Sequence, residues 1–140
     1  MKISARNVLP GTVASVTNGA VNAEVSLTLR GGETVVAIIT NASVESLGLQ
    51  VGNSAYAIIK ASEVMIGKNL ESAKLSARNI LAGEVTELQD GAVNSEVGVR
   101  LPGGTMLVAS ITRTSIKALE LKQGDKVSAI VKASHVLVGV

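Results

Sequence analysis

The chain has 140 residues, of which 46% are apolar but only 1% aromatic, and Tyr56 is the single aromatic side chain. Cysteine is absent, which excludes disulfides, thiolate metal sites and cysteine nucleophiles. The net charge of +2, from 13 basic and 11 acidic side chains, is too balanced for a protein that grips nucleic acid through its phosphates.

The N-terminal stretch MKISARNVLP carries charge and then meets Pro10, so it does not read as a secretory leader. No apolar run reaches the roughly 20 residues of a membrane helix. The expected location is the cytoplasm. GTVASV reads as a strand, and TNGA after it as turn chemistry. VNAEVSLTL alternates, with Val21, Ala23, Val25, Leu27 and Leu29 on one face and Asn22, Glu24, Ser26 and Thr28 on the other. That pattern predicts a half-buried strand. RGGE is a second turn, and TVVAIIT a β-branched third strand. TNASVESLGL changes period: Val44 and Leu47 lie three apart behind Thr and Asn, predicting a short capped helix. SAYAIIKA is the next strand, and EVMIG a final extended piece.

The pattern then starts again. An offset of 72 aligns residues 1–68 with 73–140 without a gap and with 32 identities. GEVTEL, VNSEVGVRL and TMLVASIT are strands, RTSIKALEL is the helix and KVSAIVKA the following strand. The chain is therefore a tandem duplication, with modules at 1–68 and 73–140 and the short join Asn69–Ser72. A join of that length implies packed modules rather than beads on a string. Three strands, a helix and further strands is the OB-fold order, so the expected fold is all-β: two tandem OB-like five-stranded barrels, each with one short helix between strands. Modules near 70 residues with no Phe or Trp bury little surface, so oligomerisation is expected.

Residues that match between halves without an obvious packing role fall in three places. Ser4 and Arg6 stand on the extended start, Thr40 and Ser43 at the helix start, and Lys60, Ala61 and Ser62 at a strand end. Their counterparts are Ser76, Arg78, Thr112, Ser115, Lys132, Ala133 and Ser134. The Arg, Lys, Ser and Thr side chains are all donors, and no carboxylate belongs to the set. Donors without acceptors suit an oxyanion, and a tetrahedral dianion would use them fully. Each residue also has a plainer reading. Thr40 alone reads as an N-cap, Lys60 as a solvated strand end, and Arg6 as the partner of Glu24 or Glu45. His135 aligns with Glu63 and Tyr56 with Ser128, so neither carries chemistry common to both halves. Asn7 reads as a packing or turn residue.

The order LSARNxLxGxV, GAVNxEVxLxLxGG, a T-x-x-S pair, LGLxxG and KAS resembles the Mop family, the small molybdate-binding modules called molbindins, over essentially the whole chain and twice. The resemblance implies an OB-like fold, molybdate or tungstate as the ligand, and sites at module interfaces without direct metal–protein bonds. It also implies a homotrimer for a tandem chain. The family's binding positions match the fourteen residues named above. Sites near a threefold axis are also implied, with Gly19, Ala20, Val21, Asn22, Gly91, Ala92, Val93 and Asn94 as weaker candidates. The expected function is intracellular binding, storage and homeostasis of molybdate, with no catalysis and no catalytic cofactor. An alternative is the molybdate-sensing domain of a transcriptional regulator or transporter ATPase, which requires a DNA- or nucleotide-binding domain not present in these 140 residues. A remote alternative is single-strand nucleic-acid binding by an OB surface, which one tyrosine and a +2 charge disfavour.

Overall fold

The computed structural model describes all of residues 1–140 and contains ten strands and two short helices. The first half supplies β1 (Asn7–Asn18), β2 (Asn22–Leu29), β3 (Thr34–Thr40), α1 (Asn41–Ser46), β4 (Ser54–Ile59) and β5 (Met65–Gly67). The second supplies β6 (Asn79–Gln89), β7 (Asn94–Arg100), β8 (Met106–Thr112), α2 (Arg113–Ala118), β9 (Lys126–Val131) and β10 (Leu137–Gly139). A 3₁₀ turn follows the fourth strand of each half, at Ala61–Glu63 and Ala133–His135.

The alternation in the second strand places its apolar face as expected. Ala23, Val25, Leu27 and Leu29 are buried, and Glu24 and Ser26 are half-buried. Val21 departs from the expectation. It precedes the strand, in the turn, and is 70% exposed. The strand begins one residue later because Gly19 N–H donates to the Asn22 carbonyl at 2.8 Å, closing a tight turn around Val21. The first strand is longer than GTVASV alone, running from Asn7, and a bulge between Val13 and Ser15 lets it curl. Val85 and Glu87 carry the same irregularity in β6.

The sheets do not respect the halves. Their orders are β10-β4-β1-β2-β3 and β5-β9-β6-β7-β8, so each half lends its last strand to the other. Leu137 and Val138 pair with Ile58 and Ala57, and Met65 and Ile66 with Ile130 and Ala129. Burial is equally shared: one continuous cluster of 23 buried residues runs through both halves, so neither has a core of its own.

The exchange is pinned on one side only. Lys68, just beyond β5, donates to the Leu119 and Glu120 carbonyls at 3.1 Å each and lies 2.9 Å from Asp125 Oδ2. Its counterpart at the offset of 72 is Val140, which can make none of these bonds. Lys68→Ala is expected to lower stability by about 1–2 kcal/mol through the lost bonds to carbonyls, measured by urea unfolding. Val140→Ala should leave the midpoint in place, and equal midpoints for both variants would show that the lysine is merely solvated.

Candidate functional site

The exchange regroups the donor set. The turn Ala133–His135 packs against β3, and the turn Ala61–Glu63 against β8. Asn79, at the start of β6, reaches the same β3: its Oδ1 accepts from Val36 N–H at 2.7 Å and its Nδ2 donates to the Val36 carbonyl at 2.8 Å. Asn7 does the same at β8, accepting from Val108 N–H at 2.7 Å and donating to the Val108 carbonyl at 2.9 Å. Both asparagines are buried. They satisfy backbone groups on the outer edge of a strand that would otherwise lie open. They are thus interdomain clasps, not local turn residues.

Two faces follow. One carries β3, ending at Thr40 and leading to Ser43, with Ser76, Arg78, Lys132, Ala133 and Ser134 on elements of the second half. The other carries β8, ending at Thr112 and leading to Ser115, with Ser4, Arg6, Lys60, Ala61 and Ser62 on elements of the first half. The turn that follows Lys132 thus packs on the strand that ends at Thr40, and the turn that follows Lys60 on the strand that ends at Thr112. Between the faces, His135 Nδ1 lies 2.8 Å from Glu63 Oε2. These residues are counterparts at the offset of 72, so the approximate twofold relation of the halves passes between the two 3₁₀ turns.

Local geometry explains each side chain. Thr40 has extended backbone and caps α1, its Oγ1 accepting from Ser43 N–H at 3.1 Å and lying 2.8 Å from Ser43 Oγ. Thr112 and Ser115 repeat this arrangement at the same distances. The threonine is thus an N-cap as well as part of the donor set. Lys60 and Lys132 are exposed, and no ion pair engages either. Ser4, Ser62, Ser76 and Ser134 are exposed as well, while Ala61 and Ala133 are buried and anchor the 3₁₀ turns.

The arginines are engaged, and by neither of the glutamates considered from the sequence for Arg6. Arg6 pairs with Glu96 of the second half. Arg78 donates twice to Glu24 of the first, at 2.9 and 2.6 Å. A carboxylate therefore stands beside each donor set. The signal was present, since Glu24 and Glu96 are matched in the GAVNxEV stretch, but nothing local shows that their partners lie across the interface. The hydrogen bonds from Arg78 hold the Glu24 carboxyl below its ordinary range, and Glu24 raises Arg78 in turn. Asp125 is likewise lowered, first by Lys68 and then by the backbone N–H of Lys122. A carboxylate lowered in the folded state contributes stability above its unfolded value, and that contribution is lost as pH falls through the folded one. Stability should therefore fall below about pH 4.5, the ordinary glutamate value. Glu24→Gln should flatten this acid limb in denaturant titrations between pH 3 and 6; an unchanged slope would count against the pairing.

The GAVN stretches form turns locked onto the helix starts. Asn41 N–H donates to the Val21 carbonyl at 2.8 Å and Asn41 Nδ2 to the Gly19 carbonyl at 2.8 Å. Arg113 N–H donates to the Val93 carbonyl at 2.9 Å. Asn22 pairs with Thr40 and Asn94 with Thr112, so each turn adjoins a hydroxyl pair. Ala20 and Ala92 are exposed, and Val21 and Val93 point outward, 70% and 74% exposed. Gly91 N–H reaches Ser95 Oγ at 3.4 Å.

Two interlocked five-stranded sheets, each completed by the last strand of the other half, define a tandem OB-like module. The TOBE domain family matches residues 3–66 and again 75–138, and the chain belongs to that family. It is 39% identical over its whole length to the molybdenum transport protein ModE of Herbaspirillum seropedicae, covering 52% of that protein. It is 44% identical over 137 residues to the molybdenum-pterin-binding protein MopA of Rhodobacter capsulatus, again covering 52% of it. The chain thus spans about half the length of these relatives. A crystal structure of ModG, described as a cytoplasmic molybdate-binding protein and determined with molybdate bound, superposes with a TM-score of 0.97. The two are 46% identical, over 100% of this chain and 99% of that one. No helix is long and apolar enough to cross a membrane.

Proposed function

We propose that this chain binds molybdate, and tungstate by the same chemistry, as a non-catalytic oxyanion binder serving storage and homeostasis in the cytoplasm. The observation that carries this reading is the repeated donor set at the boundary of the two halves, in a chain 46% identical throughout to a protein solved with molybdate bound. The units are residues 1–68 and 73–140, joined by Asn69–Ser72. Ser4, Arg6, Lys60, Ala61 and Ser62 act with Thr112 and Ser115; Ser76, Arg78, Lys132, Ala133 and Ser134 act with Thr40 and Ser43. Arginine and lysine match the two negative charges, and hydroxyls and backbone N–H groups donate to the four oxygens. The assembly is a homotrimer. Exposed Val21, Val51, Met65, Val93 and Leu137 supply apolar surface for it.

Calorimetric titration with molybdate, tungstate, sulfate and a dT oligomer tests the reading. Heat is expected with the first two. Arg6→Ala or Lys60→Ala should weaken one class of site by about 10- to 100-fold, the worth of one charge-assisted hydrogen bond. Oligomer binding without molybdate heat would overturn the proposal. A second reading, the ligand-sensing part of a regulator, is favoured by the match of the whole chain to about half of ModE. Molybdate-dependent association with a DNA-binding partner would support it over storage.

A further inference from the structure

We infer that Glu24 and Glu96 are internal counter-anions, held on Arg78 and Arg6 and displaced when an oxyanion arrives, so that they set its affinity. The inference rests on the oxyanion reading above. Among the cationic donors, Lys60 and Lys132 make no ion pair, whereas both arginines are already engaged by a carboxylate from the opposite half. A fixed carboxylate beside a dianion is repulsive, so the two cannot share the guanidinium without cost. Charge supports displacement. At the β3 face, Arg78 and Lys132 with Glu24 in place give net +1, and without it +2, which matches a dianion; the β8 face has Arg113 beside Thr112 in addition. The pairs can open cheaply because their side chains are 37–52% exposed, and exposed pairs contribute little on their own. The lowered Glu24 carboxyl and raised Arg78 are what a direct competitor for the guanidinium produces.

The two gates differ. Glu24 grips Arg78 with both oxygens, while Glu96 holds Arg6 through one. Competition should therefore be stronger at Arg78. Each pair also ties one half to the other, so ligand entry replaces an interdomain tie by a ligand-mediated one.

The test compares wild type, Glu24→Gln, Glu96→Gln and the double variant by calorimetry with molybdate and with the singly charged tetrahedral ion perrhenate. Glutamine keeps the size and loses the charge. Both single variants should bind molybdate more tightly, up to about fivefold, with the larger gain for Glu24→Gln. The wild type should discriminate against perrhenate, which cannot offset the displaced charge, and the double variant should lose part of that discrimination. In a parallel NMR titration, the Arg78 and Arg6 Nε–H resonances of the wild type should move as molybdate is added. Unchanged or weaker molybdate binding by the glutamine variants, beside normal wild-type binding, would overturn the inference alone and make the glutamates positioning residues. Absence of molybdate binding by the wild type would overturn the oxyanion reading and this inference with it.

Discussion

Asn79→Ala is expected to cost about 2–4 kcal/mol, among the largest effects of any single polar substitution in this chain. The side chain is 2% exposed and closes a two-bond ring with Val36 N–H and carbonyl at 2.7 and 2.8 Å. Truncation strands both backbone groups, and each unsatisfied buried group costs about 1–3 kcal/mol. Asn79→Asp should be worse than alanine. Its second oxygen faces the Val36 carbonyl where a donor is needed, and burial penalises the charge. Asn7→Ala and Asn7→Asp should behave alike, since Asn7 also donates to the Ile59 carbonyl at 3.2 Å. Urea unfolding followed by circular dichroism gives the comparison. Near-wild-type midpoints for both alanine variants would mean that water replaces the clasps.

The second large effect concerns the halves apart. A fragment of residues 1–72 should form no folded monomer. Its β4 would lack β10, its β5 would lack β9, and Asn7 would lose Val108. Leu137 and Val138 would no longer cover Ile58 and Ala57. Half of the shared core would be missing. Such a fragment is either unfolded or self-associated, each copy lending residues 65–67 to the other as β5 and β10 are exchanged within the intact chain. Sedimentation at micromolar concentration with parallel circular dichroism decides this. A cooperative monomer with β5 folded back onto its own β4 would refute the expectation.

Much of this was readable from residue order. The duplication, the alternation Ala23–Val25–Leu27–Leu29, the Thr40 and Thr112 caps and the helix between third and fourth strands all follow from local period and turn chemistry. Such signals act over a few residues, so the linear chain carries them. Val21 shows their limit: strict alternation continued one residue too far, because the Gly19–Asn22 hydrogen bond ends the strand first.

The tertiary structure alone decided who meets whom. Nothing in MIG or LVG says that each strand crosses to the other half, because a short apolar strand pairs equally well with either of two near-identical edges. The same symmetry hid the partners of Arg6, Arg78, Asn7 and Asn79. A duplicated sequence offers every residue two equivalent neighbourhoods, and only the short Asn69–Ser72 join and the packing of one shared core select between them. Residue order thus determined the parts, the repeat and the donor chemistry. Packing across the halves determined the exchanged strands and the carboxylates beside the arginines.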